Sequence, residues 1–217
     1  MNRQHFILRV GAALFVGLSG GLGTGAVLAQ TAPTILVLGD SLSAEYGLKR
    51  GEGWVALLEK RLAQEKIAAA RVVNASVSGE ATSGGRSRLP ALLKQHQPTH
   101  VVIELGGNDA LRGLPLANTE DNLRFMTEAA QKAGAKVLLV GMQVPPNYGG
   151  DYTKRFGDLF AKVAQARKAA VVPFFLKGVA DGPNATAMFQ PDRIHPRAEA
   201  HPAMLDNVWP ELRKLLR

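Results

Sequence analysis

Short runs of apolar, often β-branched residues alternate along the chain with stretches whose apolar positions recur every three to four residues. The first run, Thr34–Leu38 (TILVL), closes on Gly39, which is the pattern of a strand buried on both faces. Arg71–Asn74 (RVVN), His100–Leu105 (HVVIEL), Lys136–Val140 (KVLLV) and Ala170–Val172 give four more strands. Between them, Gly53–Lys66 sets Trp54, Leu57, Leu58, Arg61 and Leu62 at helical spacing. Leu89–His96 reads as a helix stopped near Pro98. Thr119–Ala133 reads as a helix capped by Gly134. Tyr152–Ala169 and Arg197–Leu216 complete the helices. Continuous apolar strands separated by amphipathic helices predict an α/β fold: a parallel sheet covered on both faces. Such sheets bind ligands beyond the carboxyl ends of their strands. Chemistry is therefore sought in the loops that follow the strands.

The first thirty residues follow a different pattern. Met1–Arg9 carries Arg3 and Arg9 and no acid, Val10–Leu28 has no charge, and Val27 and Ala29 precede polar Gln30-Thr31. A basic start, an apolar stretch and small residues before a polar one predict a signal peptide over 1–29 and a single domain over 30–217. A retained membrane anchor is disfavoured by six glycines in the apolar stretch. The expected location is periplasmic or secreted. Gly21-Leu22-Gly23-Thr24-Gly25-Ala26 matches a dinucleotide fingerprint, but it lies in this leader and not between a strand and a helix.

Composition narrows the chemistry. A chain of 217 residues fits one domain with a full core. It has no cysteine, which excludes disulfides, thiolate nucleophiles, lipoprotein anchors and iron–sulfur clusters. The formal net charge of +8 falls to +6 once Arg3 and Arg9 are removed with the leader. The basic residues are spread over several helices without interleaved aromatics, so no nucleic-acid partner is expected. Weak attraction to anionic membrane surfaces is the use expected of that charge. A monomer is expected, with no metal and no cofactor.

Three loops and one C-terminal segment carry the remaining chemistry. Gly39-Asp40-Ser41-Leu42-Ser43 follows the first strand. Asn74-Ala75-Ser76-Val77-Ser78-Gly79-Glu80 follows the second, and Gly106-Gly107-Asn108-Asp109 the third. Pro191-Asp192-Arg193-Ile194-His195-Pro196 lies near the C-terminus. This inventory supports a hydroxyl nucleophile with a histidine base. An aspartate must orient the imidazole, and Asp192 stands three residues before His195. The backbone N–H groups of Ser41 and Gly79 and the Asn108 amide are candidate oxyanion donors. His201 is the main competitor to His195, but Ala198 occupies the position three residues before it. His96 and His100 read as structural. Residues 30–217 contain neither a G-x-S-x-G elbow nor a P-loop.

These residues resemble the four blocks of the SGNH hydrolases, the GDSL family of esterases and lipases. Gly39-Asp40-Ser41-Leu42 resembles the first block, Gly79 the glycine of the second, Gly107-Asn108-Asp109 the third, and Asp192-Arg193-Ile194-His195 the last. Longer stretches are similar to the family's periplasmic multifunctional acyl-CoA thioesterase, arylesterase and lysophospholipase members. They include Arg88–Pro98, Glu104–Asp109 and Pro146-Asn147-Tyr148-Gly149. The resemblance implies a flavodoxin-like three-layer α/β/α sandwich on a five-stranded parallel sheet. It implies Ser41 as nucleophile, His195 as base and Asp192 as its orienter, with Ser41, Gly79 and Asn108 forming the oxyanion hole. Acyl esters, acyl thioesters and lysophospholipids are the substrates it implies. Asp40, Leu42, Leu111, Pro146, Tyr148 and Ile194 are the expected substrate contacts. Glu80, Ala110 and Pro145 depart from the usual family residues and are expected near the acyl pocket. Two alternatives stand beside this reading: a carbohydrate O-acetylesterase of the same fold, and a non-catalytic module binding a small anion.

Overall fold

The computed structural model of the protein describes residues 32–217, apart from Lys66, Ala68 and Ala69. The segment read as a signal peptide lies outside the described residues. Residues 32–217 form one compact unit.

Five strands make one sheet: β1 (Thr34–Gly39), β2 (Arg71–Asn74), β3 (His100–Glu104), β4 (Lys136–Val140) and β5 (Ala170–Val172). All pair in parallel, in the order β2-β1-β3-β4-β5. Six helices connect or follow them: α1 (Trp54–Gln64), α2 (Thr82–His96), α3 (Gly107–Leu111), α4 (Leu116–Lys132), α5 (Gly150–Arg167) and α6 (His201–Leu215). Right-handed crossovers dictate the layers. The chain steps one way from β1 to β2 and then the other way through β3, β4 and β5, so α1 lies on one face and α2, α4 and α5 on the other. The packing agrees: α6 joins α1, while α4 packs between α2 and α5. The direction reverses between β1 and β3, where a crevice opens at the carboxyl ends. The loops carrying Ser41 and Asn108 flank that crevice.

The central strands are apolar because both faces are covered. Ile35, Leu36, Val37, Leu38, Val101, Val102 and Ile103 have no accessible surface, whereas the β2 edge exposes Arg71 and Asn74. The strand boundaries read from the sequence agree with the structure to within one residue.

The helices depart more. α2 begins at Thr82, not Leu89, and runs through Pro90. Ser83-Gly84-Gly85 is a poor helix former, but Gly85 has a packing role. A Cβ there would stand 2.3 Å from the Leu105 Cδ1 and 3.2 Å from the Met126 Sδ. Its absence lets α2 lie close on β3 and α4. α4 begins at Leu116, three residues early, and Gly134 (φ +88°) follows its end as expected. α6 starts at His201 with Pro202 in its first turn; the three residues before it, Ala198–Ala200, form a 3-10 turn. Among the described residues no helix is long and apolar enough to cross a membrane.

Candidate active site

The end of β1 is shaped to project one side chain. At Gly39 a Cβ would stand 2.7 Å from the Ser43 Oγ and 2.9 Å from the Glu104 Oε2, so only hydrogen fits. The Asp40 carbonyl accepts from the Ser43 and Ala44 N–H groups, and its Oδ1 accepts from the Leu42 N–H at 3.0 Å. This turn turns Leu42 and Ser43 inward and leaves Ser41 on the crevice side.

Near the C-terminus, Asp192 organises a second tight turn. Its Oδ1 accepts from the N–H groups of Ile194 (2.9 Å) and His195 (3.0 Å). Its Oδ2 lies 2.8 Å from the His195 Nδ1. The His195 N–H first, then the Ile194 N–H and the His195 side chain, hold the Asp192 carboxyl down at about 2. It is therefore an anion and only an acceptor across the working range. The His195 Nδ1 must then carry the proton, which leaves Nε2 to accept. That Nε2 lies 2.9 Å from the Ser41 Oγ. Two residues 154 positions apart are thus in hydrogen-bond contact, with the third behind them.

The oxyanion candidates converge on the same crevice edge. Gly79 is held at φ +77°, a conformation that glycine adopts without strain. No acceptor among the described residues engages the N–H of Ser41 or of Gly79. The Asn108 Nδ2 donates one hydrogen to the Asp40 Oδ2 at 3.0 Å and has a second to offer. Asn108 sits in α3, whose approach turns at Gly106 (φ +125°). A Cβ there would lie 3.1 Å from the Phe160 Cζ.

Several expected substrate contacts have other work. Asp40 is 2% exposed and both its oxygens are occupied, one by the Leu42 N–H of the Ser41 turn and one by the Asn108 amide. Leu42 belongs to the core. Glu80, expected beside the acyl pocket, turns away to form a two-pronged ion pair with Arg88, which also donates to the Ala75 carbonyl. Leu111 at the end of α3, Pro146 and Tyr148 in a 3-10 turn, and Ile194 on its loop are exposed at the carboxyl edge. His201 is buried and accepts from the Trp54 N–H at 3.0 Å; burial lowers its pKa, and it takes no part in the Ser41 site. His100 is likewise structural, contacting Thr99 and the Leu215 carbonyl.

The roles of three positioning residues escaped the sequence reading. The Gln190 N–H donates to the His195 carbonyl, and its side-chain amide donates to the carbonyls of Tyr46 and Pro196. It thereby ties the Ser41 loop to the His195 loop. The Tyr46 ring lies against the His195 ring, centroids 4.2 Å apart. Asp109 accepts from the Thr82 N–H (2.8 Å) and hydroxyl and from the Thr119 hydroxyl. It caps α2 from α3, which is why that helix can begin at Thr82 without its own capping side chain. No local pattern reports such a cap, because the donor and acceptor are 27 residues apart.

Beneath the nucleophile lies a buried acid pair. The Trp54 Nε1 donates to the Ser43 Oγ, which donates to the Glu104 Oε2 at 2.7 Å; the Asp40 N–H reaches the same oxygen. Burial raises Glu104 well above the usual carboxylate range, and the neighbouring Asp40 charge adds to it. Burial also pushes Asp40 up to about 6. Raised carboxyl pKa values mean that the folded chain binds protons more tightly than the unfolded chain. Their stabilising contribution is complete below about pH 4 and is lost as pH rises through 6 and beyond. Glu104→Gln keeps the shape and cannot ionise. It should therefore lose less stability than wild type as pH rises from 5 to 8. Thermal melts at pH 8 and pH 5 check this. A variant that loses as much stability as wild type over that range would count against the buried charge cost.

Among the described residues no cluster of three His, Asp or Glu side chains is arranged to hold a metal. A model of the GDSL-like Lipase/Acylhydrolase family matches residues 37–203. The chain is 53% identical over 185 residues to Esterase TesA of Pseudomonas aeruginosa, covering 85% of this chain and 90% of the relative. It is 42% identical over 188 residues to the thioesterase 1/protease 1/lysophospholipase L1 of Escherichia coli K12, covering 87% of each. A solved structure of the psychrotrophic esterase EstA from Pseudoalteromonas sp., inhibited by monoethylphosphonate, superposes with a TM-score of 0.78 at 40% identity. It covers 84% of this chain and 98% of that one.

Proposed function

The chain belongs to the GDSL-like lipase/acylhydrolase family and is an ester hydrolase, and from that premise we propose that it cleaves carboxylic esters and thioesters of acyl groups through an acyl-enzyme on Ser41. The observation that carries the reading is the unbroken relay from the Ser41 Oγ to the His195 Nε2 (2.9 Å) and from its Nδ1 to the Asp192 Oδ2 (2.8 Å). The unengaged N–H groups of Ser41 and Gly79 stand beside it.

The steps follow from the donors and acceptors. The Ser41 Oγ attacks the acyl carbonyl carbon while the His195 Nε2 takes its proton. The Asp192 anion accepts from the Nδ1–H and stabilises the imidazolium. The carbonyl oxygen, now negative, is held by the Ser41 N–H, the Gly79 N–H and the free Asn108 amide hydrogen. Each donor contributes about 3–4 kcal/mol at the transition state. His195 then protonates the departing alcohol or thiol. Water, deprotonated by the same Nε2, releases the acid and restores Ser41.

The relatives named as esterase and as thioesterase and lysophospholipase support a broad acyl range. Lysophospholipids and acyl thioesters join simple esters as substrates in this reading. Leu111, Pro146, Tyr148 and Ile194 line the approach of the acyl chain. The leader pattern of Met1–Ala29 supports export, so the processed chain would act in the periplasm or outside the cell.

A fluorophosphonate should label the protein irreversibly, once, at Ser41, with loss of esterase activity in step. A scan of p-nitrophenyl esters of increasing chain length beside matched acyl thioesters should then show turnover of both classes. Absence of labelling would return the chain to a non-catalytic binding role. Turnover of acetyl esters alone would favour an acetylesterase.

A further inference from the structure

The large apolar side chains that the described residues expose are five: Tyr46, Val77, Leu111, Tyr148 and Ile194, each between 36% and 52% accessible. Their distribution is not scattered. Tyr46 follows β1, Val77 follows β2, Leu111 follows β3, Tyr148 follows β4 and Ile194 follows β5. Each of the five connections leaving the carboxyl ends contributes one. The connections at the opposite edge and the outer helix faces contribute none. Because the strands are parallel, all five meet at one edge, around the Ser41–His195 pair. Exposed apolar side chains gathered on one face mark a surface that is covered in use.

The charges on the same edge point to what covers it. Lys49, Arg50, Arg112, Arg193 and Arg197 are exposed on these connections. None takes part in an ion pair, although cations on the helices do: Arg61 with Asp206, Lys162 with Glu120, Arg167 with Glu128, Arg213 with Glu65. The residues outside the description contain no Asp or Glu that could partner them. The acids of this edge are engaged locally apart from the exposed Glu199: Glu52 accepts from the Lys49 N–H and Asp181 from the Gly178 N–H. Glu45 accepts from the Gly51 and Gly53 N–H groups, Glu80 holds Arg88, and Asp192 holds its own turn and His195. The edge thus presents apolar side chains interspersed with cations that no carboxylate pairs, two of which, Arg112 and Arg197, donate to the Gly79 and Phe189 carbonyls. A second copy docking by two-fold symmetry would set these cations against one another, whereas an anionic lipid surface matches both features.

We propose that the carboxyl edge, with Tyr46, Val77, Leu111, Tyr148 and Ile194 inserted and Lys49, Arg50, Arg112, Arg193 and Arg197 on the headgroups, docks the enzyme on an anionic lipid bilayer with its catalytic crevice facing the lipid. The docking geometry is independent of catalysis; its purpose rests on the ester-hydrolase reading. Docked in this way, the enzyme draws a single-chain acyl lipid from the bilayer into the crevice without passage through water.

Co-sedimentation of the Ser41→Ala protein with phosphatidylglycerol and with phosphatidylcholine vesicles tests the proposal. Binding should require phosphatidylglycerol and weaken with salt. Adding Lys49→Glu and Arg50→Glu should lower the partition coefficient roughly 30-fold or more, at about fivefold for each basic residue removed. Adding Val77→Ser should lower it severalfold. Adding Lys94→Glu and Lys132→Glu instead makes the same charge change at the ends of α2 and α4, on the opposite edge, and should lower it less than about twofold. Equal losses from the two charge pairs, equal binding to both lipids, or a concentration-dependent dimer that leaves vesicles unbound would each overturn it. With Ser41 restored, every variant should hydrolyse soluble p-nitrophenyl acetate at the wild-type kcat/KM. Vesicle binding without hydrolysis by the Ser41 protein would leave the docking surface standing and remove the esterase reading.

Discussion

Ser41→Ala is expected to lower kcat on a p-nitrophenyl ester by about a million-fold, as loss of a serine nucleophile does elsewhere. The loss should leave KM within a few-fold and the circular dichroism native. Ser41 is half-buried and its recorded side-chain hydrogen bond is the one with the His195 Nε2, so removing its hydroxyl leaves no buried group stranded. The stability change should stay within about 0.5 kcal/mol. His195→Ala should cost about as much, and the double variant no more than either, because the two act as one unit. Ser43 offers the control. It lies two residues away in the same motif, but its hydroxyl is buried between the Trp54 Nε1 and the Glu104 carboxylate. A fluorophosphonate should therefore never appear on Ser43. Ser41→Ala protein retaining a tenth of the wild-type rate would remove Ser41 as nucleophile.

Asp192→Asn should lower kcat by about ten-thousand-fold with the backbone unchanged. Both carboxylate oxygens are committed: Oδ1 to two backbone donors, Oδ2 to the His195 ring. An amide has one acceptor oxygen. If that oxygen keeps the two N–H groups of the turn, the NH2 group faces the His195 Nδ1 and donates to it. The imidazole must then carry its proton on Nε2, the nitrogen that has to receive the Ser41 proton. The loss arises from the wrong tautomer and not from a displaced loop, so KM should barely move. The acid side should change as well. A carboxyl held at about 2 contributes stability above the ordinary carboxylate range that is lost as pH falls through 2. The asparagine variant should therefore lack that part of the acid-induced destabilisation in melts between pH 5 and pH 2. A rate loss under tenfold would deny Asp192 its orienting role.

How much of this was legible in the sequence varies by element. β1, β3 and β4 were plain because a strand covered on both faces is apolar throughout, as Val101–Ile103 shows. The start of α2 was not, because Ser83-Gly84-Gly85 argues locally against a helix. The helix forms there because Asp109 caps it from α3 and Gly85 fits against Leu105. Ser41, Asn108, Asp192 and His195 were visible because their residue types are few and their blocks short. Asp40 was expected at the substrate and Glu80 near the acyl pocket; their side chains engage Asn108 and Arg88. A carboxylate next to a catalytic residue in sequence faces either the ligand or the scaffold, and alternation alone does not tell which. Gln190 was invisible, since nothing about a lone glutamine announces that its amide will bridge two loops.

By itself, then, the sequence determined the strand–helix alternation, the layered parallel sheet and the chemical identity of the groups at its carboxyl edge. Those are local properties, set by periodicity, backbone propensity and side-chain type. Only the tertiary structure decided that the Ser41 Oγ and the His195 Nε2 meet at 2.9 Å across 154 residues, that Asp40 serves Asn108, and that five apolar side chains from five loops share one rim. Such relations depend on the handedness of crossovers and on close packing, which act between residues far apart in the chain and leave no mark on any single stretch of it.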